Sequence, residues 1–244
     1  MLRGWGKRYS DILKEFTYDE GKDRESAIFL NSILKKSDIN ERIRNMVKDK
    51  TVLVIGSGPS LSGAIPRLKN YRKSIKIAAD SSVKPLVENG IVPDIIVTDL
   101  DGDEDTLEKI GKTKSIFVVH AHGDNIEKLG FVKKIKNCIG TTQAAPFDKI
   151  NNFGGFTDGD RGVFLASHYD AKRIILFGMD FGDQIGKFSK TKKSERKTKL
   201  MKLKRGKSLL EWLSTITKTE LFTTSKPIKG FKKISYKELD IIIT

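Results

Sequence analysis

The chain has 244 residues, of which 38% are hydrophobic. This is enough for one large domain with a buried core, and it is too short for two full-sized domains. Lys and Arg number 46 against 31 Asp and Glu, which gives a formal net charge of +15. Apolar segments recur at regular intervals, which argues against a wholly disordered chain. No apolar run approaches the roughly 20 residues that span a bilayer.

The N-terminal residues carry positive charge but lead into Asp11, Lys14 and Glu15 rather than into an apolar run with a cleavage site. Cys138 is the only cysteine, which excludes an internal disulfide framework and a cysteine-based zinc site within one chain. We therefore expect a cytoplasmic protein that has no membrane partner.

Two regions differ in their hydrophobic period. Residues 1–50 space their apolar side chains by three or four, which predicts a helical N-terminal segment. In residues 51–244, short β-rich runs alternate with helical stretches, which predicts an α/β catalytic domain. The predicted strands are 51–55, 75–79, 95–98, 115–120, 137–139, 173–177 and 221–224. The predicted helices are 62–71, 82–89, 104–112, 125–133, 159–169 and 203–218. The pattern favours a mostly parallel, Rossmann-like sheet with helices on both faces.

Positive charge is concentrated in one segment. From Lys187 to Lys207, eleven basic residues stand against the single acid Glu195. We interpret residues 187–207 as a basic loop inserted in the domain. Such a run is either a solvated segment or a local device that meets dense negative charge such as a polyphosphate.

Ligands of parallel sheets bind beyond the carboxyl ends of the strands, so the residues that follow each predicted strand are the candidates for a site. The first strand leads into a turn of small residues, Gly56, Ser57, Gly58, Pro59 and Ser60. This turn can bring backbone N–H groups close to a phosphate, although it lacks the lysine of a Walker A loop. Asp80 closes the second strand, where it can cap a helix or hold a ligand hydroxyl.

The strongest signal follows the third strand, where five acids lie within residues 99–105. In an extended backbone Asp99, Asp101 and Asp103 would project to one side. Carboxylates this close repel each other unless a cation compensates them, and Mg²⁺ held by carboxylates and substrate phosphates is the commonest arrangement. Acids at a helix N-terminus are the simpler alternative for Asp103 and the residues after it.

Three further clusters follow later strands. His120, His122, Asp124 and Asn125 suit substrate hydrogen bonding or helix capping better than a zinc site, which needs three convergent ligands. Asp158 and Asp160 precede Arg161, a cation in the first turn of a predicted helix, where it opposes the helix dipole. Phosphate contact, or pairing with either Asp, would explain that arginine. Asp180 follows the strand at 173–177.

In this order, the clusters resemble the archaeal 6-hydroxymethyl-7,8-dihydropterin pyrophosphokinase family. The residues that carry the resemblance are 56–61, 93–102, 120–125, 155–161 and 178–182. The resemblance implies transfer of diphosphate from ATP, with Mg²⁺, to the hydroxymethyl group of a dihydropterin, on the way to folate or tetrahydromethanopterin. The acidic cluster is also similar to the Asp-rich motif of thiamine pyrophosphokinases, which supports the reaction type more than the acceptor.

With that function, residue roles can be assigned as expectations. We expect Asp99, Asp101 and Asp103 to hold Mg²⁺, with Asp99, Asp101 and Arg161 catalytic. The residues expected to bind ATP are Gly56, Ser57, Gly58, Pro59, Ser60, Lys202, Lys204 and Arg205. The residues expected to contact substrate are Asp80, His120, His122, Asp124, Asn125, Asp158, Asp160 and Asp180. Whether Asp158 and Asp160 meet metal or pterin stays open.

Two other functions fit parts of the sequence. The turn at 56–61 is similar to that of sugar transferases that use nucleotide-activated acidic sugars, but the acidic cluster favours the pyrophosphokinase. An RNA-binding module acting through residues 187–207 would bind in a strongly salt-dependent way and would not need Asp99 or Asp101. With small molecules as substrates, we do not expect a nucleic acid partner. The sequence leaves the oligomeric state open, a homo-oligomer included.

Overall fold

A computed structural model describes residues 1–189 and 191–243 of the chain. The N-terminal helices are α1 (Trp5–Phe16), α2 (Glu20–Ile33) and α3 (Ile39–Val47). The strands are β1 (Thr51–Ile55), β2 (Ile75–Ala79), β3 (Ile95–Thr98), β4 (Ile116–His120), β5 (Cys138–Thr141), β6 (Ile150–Asn151), β7 (Arg173–Phe177), β8 (Glu220–Thr223) and β9 (Lys232–Lys233). The later helices are α4 (Leu61–Leu68), α5 (Asp80–Glu88), α6 (Glu104–Gly111), α7 (Asp158–His168), α8 (Arg196–Leu213) and α9 (Tyr236–Ile243), with 3-10 helices at Ile126–Lys134 and Lys193–Glu195.

Across the described residues, the strands form one sheet in the order β6-β5-β4-β3-β2-β1-β7-β8-β9, and every neighbouring pair is parallel. In the central register, Val54 lies beside Ile77 on one side and Leu176 on the other. The chain order reverses direction at β1, which pairs with both β2 and β7. The loops after β1 and β7 therefore flank a crevice of the kind in which α/β sheets bind ligands.

Helices cover both faces of the sheet, as the sequence predicts. Alternate residues of β1 point to opposite faces, so Val52 and Val54 join one core while Leu53 and Ile55 join the other. The first core receives α1, α3, α7 and α8, and the second receives α2, α4, α5, α6 and α9. Continuous apolar strands are expected where both faces of a parallel sheet are buried.

The N-terminal segment is helical, as predicted, and it packs on both faces of the sheet. The Trp5 side chain of α1 is fully buried, and its indole N–H donates to the Gln143 carbonyl oxygen at 2.8 Å. Leu30 of α2 is equally buried in the opposite core. Among the described residues, no helix combines the length and apolar composition needed to cross a membrane.

The prediction of a basic loop over 187–207 is wrong for its second half. Helix α8 begins at Arg196 and so includes most of the basic residues. Its apolar residues Leu209, Leu210 and Leu213 are buried in the core and anchor the helix. Lysine and arginine are good helix formers, so charge alone does not indicate a loop. Lys190 of the run lies outside the described residues.

The other differences concern short elements. The stretch predicted as helix at 125–133 is a 3-10 helix that contains Gly130, a residue that weakens α-helices. Strands β6 and β9 have two residues each, too few to show an alternating pattern. Helix α9 was also not predicted; its apolar run Ile241–Ile243 is too short to show a helical period.

Candidate active site

The loop after β1 packs directly on the loop after β7. The Gly58 N–H donates to the Gly178 carbonyl oxygen at 2.7 Å. One Asp180 oxygen accepts from both the backbone N–H and the hydroxyl of Ser60, each at 3.0 Å. The Ser60 hydroxyl also lies 3.0 Å from that of Ser225. Asp180 and Ser60 therefore brace the loop, and Ser60 is the one of its five residues that does not line the cavity beside it.

A first cavity opens beside this loop at the crevice between β1 and β7. Gly56, Ser57, Gly58 and Pro59 form one wall, and Gly178, Asp180 and Phe181 are among the residues opposite. The structure thus brings together four of the five loop residues expected to bind a nucleotide. Small side chains here leave backbone groups within reach of a bound phosphate.

Three carboxylates converge beside the first cavity. Asp80 follows β2, Asp99 follows β3, and Asp158 begins α7; an oxygen from each lies within 4.8 Å of the other two. Asp80 is buried, and its Oδ1 has no hydrogen-bond partner among the described residues. We call Asp80, Asp99 and Asp158 the acidic cluster. Its three converging oxygens form a donor set suited to a hard divalent cation.

The three carboxyl groups of the acidic cluster have shifted pKa values. Burial, with the charge of Asp99 beside it, raises the pKa of Asp80 to about 7. Burial and the charges of Asp99 and Asp80 raise the pKa of Asp158 well above its ordinary value. Burial would also raise the pKa of Asp99, but the hydrogen bond and charge of His122, with the charge of Lys199, outweigh it and lower that pKa. Uncompensated negative charge of this kind is what a bound cation would relieve.

The expectation that Asp99, Asp101 and Asp103 share one side of an extended chain is wrong. The strand ends at Thr98, and Leu100 adopts a left-handed conformation with φ of 67°. The Asp80 Oδ2 accepts the N–H groups of Asp101 and of the residue after it, at 3.0 and 2.9 Å, which folds the loop around Asp80. Alternation of side chains with period two does not survive such a turn.

Asp101 and Asp103 consequently point away from the cluster. Asp101 is exposed and forms an ion pair with Lys128. Asp103 is the N-cap of α6, where its Oδ1 accepts from the Thr106 N–H and its Oδ2 pairs with Lys84 at 2.7 Å. Hydrogen bonding from Lys84 lowers the pKa of Asp103 to about 2. The simpler alternative, an acid suited to a helix N-terminus, describes Asp103.

A second, larger cavity of about 570 Å³ adjoins the first. Asp158 and Lys199 line both cavities, so the two meet at the acidic cluster. The second cavity combines aromatic and polar walls. Its lining includes Tyr18, Asp99, Asp101, His120, His122, Lys128, Gln143, Phe156, Arg161 and Lys202.

His120 is the most buried polar residue of this cavity. Burial, with the charge of Arg161, lowers its pKa well below the ordinary value, so the imidazole is neutral. Its Nδ1 lies 3.3 Å from the Thr141 hydroxyl, which itself donates to the Val119 carbonyl oxygen. The Nδ1 therefore carries the proton, and Nε2, unpartnered among the described residues, is a hydrogen-bond acceptor.

We call residues 121–125, which follow β4 and contain His122, the histidine loop; its Asn125 has a structural role. The buried Asn125 accepts from the His122 N–H and donates to the carbonyl oxygens of Asp99 and His120. It ties this loop to the loop after β3. Asp124 is exposed and lies outside both cavities. The structure therefore places His120 and His122 in the site, and it does not place Asp124 or Asn125 there.

Of the neighbours Asp160 and Arg161, the first caps a helix and the second lines the second cavity. Asp160 is fully buried, and its oxygens accept from the N–H groups of Phe156 and Thr157 and from the Thr157 hydroxyl, which closes a capping box at the start of α7. Its expected contact with metal or pterin is replaced by this cap. Arg161 turns into the second cavity and donates to Gln143 Oε1 at 3.3 Å and to the Phe156 carbonyl oxygen at 3.0 Å.

The basic segment contributes through one face of α8. Lys199 lines both cavities, and Lys202 lies 5.6 Å from the ring centre of Tyr18. Lys204 is exposed outside the cavities, and Arg205 forms an ion pair with Glu15 of α1. Of the three basic residues expected to meet the nucleotide, the structure brings only Lys202 to the cleft.

Several cavity residues are absent from the sequence predictions: Tyr18, Ser81, Lys128, Gln143, Phe156 and Lys199. Lys199 belongs to the basic run, and its spacing of three from Lys202 would have placed both on one helix face. Tyr18 comes from the N-terminal segment, far from every strand end, so no pattern in the sequence connects it to the site.

Comparison with known proteins gives one family and several relatives. A family model described as 6-hydroxymethylpterin diphosphokinase MptE-like matches residues 27–186. The chain is 41% identical over 230 residues to the 6-hydroxymethyl-7,8-dihydropterin pyrophosphokinase of Methanocaldococcus jannaschii, covering 87% of this chain and 95% of that one. It is 43% identical over 217 residues to the protein of the same name from Pyrococcus furiosus, covering 86% of this chain and 92% of that one.

Among solved structures, the chain is similar to a MAf glycosyltransferase from Magnetospirillum magneticum, with a TM-score of 0.55 and 14% sequence identity. The match covers 87% of this chain but only 39% of that protein. At this identity the likeness concerns the fold alone. It supports the Rossmann-like arrangement of strands and helices.

Proposed function

Because the chain belongs to the MptE-like 6-hydroxymethylpterin diphosphokinase family, we propose that it transfers the terminal diphosphate of ATP to the hydroxymethyl group of 6-hydroxymethyl-7,8-dihydropterin. The acceptor oxygen bonds to the β-phosphorus, the bond from that phosphorus to the α–β bridging oxygen breaks, and AMP leaves. The observation that carries this proposal is the meeting of two different cavities at the acidic cluster. We place the reaction in pterin biosynthesis leading to folate or tetrahydromethanopterin.

We assign the phosphate end of the nucleotide to the first cavity. It lies at the crevice where the strand order reverses, and its wall is the small-residue loop Gly56–Pro59. Helix α4 begins directly after this loop, at Leu61. The positive end of the α4 helix dipole favours a phosphate at this position.

The second cavity suits the pterin. The rings of Tyr18 and Phe156 can stack against a flat heterocycle. Arg161 can donate hydrogen bonds, and His120 Nε2 can accept one. This pairing of donor and acceptor is complementary to the pterin edge, in which a carbonyl oxygen stands next to a ring N–H.

The acidic cluster fits a magnesium ion, because its three oxygens converge and the Asp80 Oδ1 is buried without a partner among the described residues. Asp80, Asp99 and Asp158 would hold the ion. A bound Mg²⁺ neutralises phosphate charge and orients the phosphate chain. Asp101 is not among these three ligands, although the sequence predicted it to be one. It is exposed at the second cavity, where it forms an ion pair with Lys128.

Diphosphate transfer requires chiefly positioning and neutralisation of charge, and the chain's own residues supply both. Lys199, which lines both cavities, lies where the transferred group would cross from one to the other. Arg161 supplies a second cation from the pterin side. Asp158 also lies at the junction, where it would hold the metal, and the hydroxyl proton would pass to water as the acceptor oxygen bonds to phosphorus.

A single-turnover assay with resolved nucleotides tests this function. With Mg-ATP and the dihydropterin, we expect AMP and a diphosphorylated pterin in equal amounts. Formation of ADP, or consumption of a nucleotide sugar instead, would overturn the proposal. Asp99→Asn should abolish the reaction while circular dichroism stays unchanged. Asp105→Asn, which removes an exposed acid from the first turn of α6, is the matched control and should keep the activity.

The cytoplasmic location and the lack of a nucleic acid partner remain predictions. The RNA-binding alternative has its own test, since it requires affinity that falls steeply as salt rises. Loss of Asp99 would leave such binding intact, whereas it would remove diphosphate transfer.

A further inference from the structure

Asp23 of α2 is a carboxylate in the protein interior, and it lies outside residues 27–186, which match the family model. Its side chain is 3% exposed. The Oδ2 accepts from the Tyr9 hydroxyl and from Gln143 Nε2, both at 2.8 Å, and the Oδ1 accepts from the Gly123 N–H at 2.9 Å. An interior carboxylate is costly unless it is hydrogen-bonded, and these three donors meet that need.

Two of the three donors lead into the second cavity. Gly123 directly follows His122, so the Oδ1 holds the histidine loop in place. Gln143 donates its amide N–H to Asp23, which turns the amide oxygen toward the Arg161 guanidinium at 3.3 Å. A carboxylate only accepts hydrogen bonds, so it permits one orientation of the Gln143 amide.

We propose that Asp23 is a positioning residue that sets the Arg161 guanidinium and the histidine loop for the acceptor substrate in the second cavity. The N-terminal helices then belong to the functional site through Asp23, although they contribute no strand end. The identity of the substrate in this inference rests on the proposed function, whereas the hydrogen bonds of Asp23 do not depend on it.

Replacing Asp23 by Asn keeps the size of the side chain but leaves one acceptor oxygen to serve three donors. The new amide N–H₂ would face either Gln143 Nε2 or the Gly123 N–H. If the N–H₂ faces Gln143, relief requires the Gln143 amide to flip, which would place its own N–H₂ against the guanidinium of Arg161; if it faces Gly123, the histidine loop loses its hydrogen bond to residue 23. Arg161 and the two histidines line the second cavity and not the first. Binding of the acceptor should therefore suffer while binding of the nucleotide does not.

Steady-state kinetics separate this role from a merely structural one. For Asp23→Asn we expect the KM for the dihydropterin to rise on the order of tenfold, which corresponds to one hydrogen bond to a charged group. The KM for ATP should stay within about twofold. Glu25→Gln makes the same change of charge at an exposed position of α2 and should leave both values unchanged. Equal rises in both KM values, or no rise for the pterin, would overturn the proposal.

Two more variants keep the inference testable if Asp23→Asn folds poorly. Gln143→Leu breaks only the connection from Asp23 to Arg161 and should also raise the pterin KM. The double variant should raise it by less than the two single effects combined, because the two changes share that connection. Tyr9→Phe removes a donor that does not lead to the cavity, so it should lower the melting temperature without raising the pterin KM. Additive effects, or a raised KM in Tyr9→Phe, would contradict the proposed connection.

Histidine NMR gives a readout that needs no enzymatic activity. The chain has three histidines. In Asp23→Asn, the imidazole signals of His120 and His122 should shift while that of His168, at the end of α7, stays in place. If the wild-type protein makes no diphosphorylated pterin, the proposed function fails while this measurement still decides the positioning role. Unchanged signals from all three histidines would overturn the role itself.

Discussion

Gly58 lies where the loops after β1 and β7 are in close contact. The loss of stability caused by adding a single methyl group there can therefore be worked out from the structure. A Cβ added at Gly58 would lie 2.6 Å from the Gly178 carbonyl oxygen and closer still to Asp180 Oδ2. Real Cβ atoms essentially never approach other heavy atoms within 3.0 Å, so one loop must move. The Gly178 oxygen is backbone of the neighbouring strand end, which cannot rotate aside, and the Asp180 side chain is held by Ser60.

Overpacking of this kind costs about 1–3 kcal/mol. Separation of the loops would also break the 2.7 Å hydrogen bond from Gly58 to Gly178, at about 1 kcal/mol. We therefore expect Gly58→Ala to lower the free energy of unfolding by about 2–4 kcal/mol. In a chain of this size that corresponds to a melting temperature lower by roughly 4–16 °C. The displaced loop should also weaken nucleotide binding.

Thermal unfolding followed by circular dichroism, with ATP affinity measured by calorimetry on the folded protein, tests both effects. Gly63→Ala is the matched control, since Gly63 is exposed in α4 and a Cβ there meets nothing within 4 Å. That change should stabilise the protein by about 0.5–1 kcal/mol, because alanine favours the helix. If Gly58→Ala melts at the same temperature as the wild type and binds ATP equally well, the two loops are not packed closely enough to exclude a Cβ.

Three further outcomes follow from the site. Lys199→Met should reduce kcat/KM on the order of 100-fold, whereas Lys204→Met, outside the cleft, should change it by less than about twofold. Asp103→Ala should cost about 1 kcal/mol of stability, because α6 loses its N-cap. The Mg²⁺ affinity measured by calorimetry should stay unchanged, and a loss of Mg²⁺ binding would show that Asp103 is a metal ligand. Because the folded pKa of Asp80, about 7, lies above its ordinary 3.8, the folded state keeps a proton that the unfolded chain releases, and the metal-free protein should lose stability as pH rises between these values. Thermal scans should then show Mg²⁺ raising the melting temperature more at pH 8 than at pH 5.5, and an equal effect at both would contradict this assignment.

The sequence predicts the sheet better than the site, for a physical reason. Strands such as β1 are continuous apolar runs bounded by polar residues, so their period and ends can be read directly. The carboxyl ends of parallel strands must meet at one edge, which correctly brings Gly58, Asp80 and Asp99 together. Which carboxylates converge depends instead on single backbone dihedrals, above all the left-handed Leu100. No composition or spacing rule predicts that turn.

Contacts between distant segments are the other part that sequence reasoning misses. Tyr18 and Lys199 come from distant parts of the chain and share one cavity. Their convergence depends on how α1, α2 and α8 pack on the sheet. A hydrophobic pattern shows that such helices will pack, but it does not show beside which strand end they come to lie.

The ends of the sheet bear on self-association, which the sequence left open. Both outermost strands, β6 and β9, have only two residues, and β9 consists of the exposed Lys232 and Lys233. Short edge strands offer few unpaired amides, and the lysines of β9 repel a second copy, which guards against growth of the sheet from one molecule into the next. If two copies do assemble, we expect the contact to form away from both ends of the sheet.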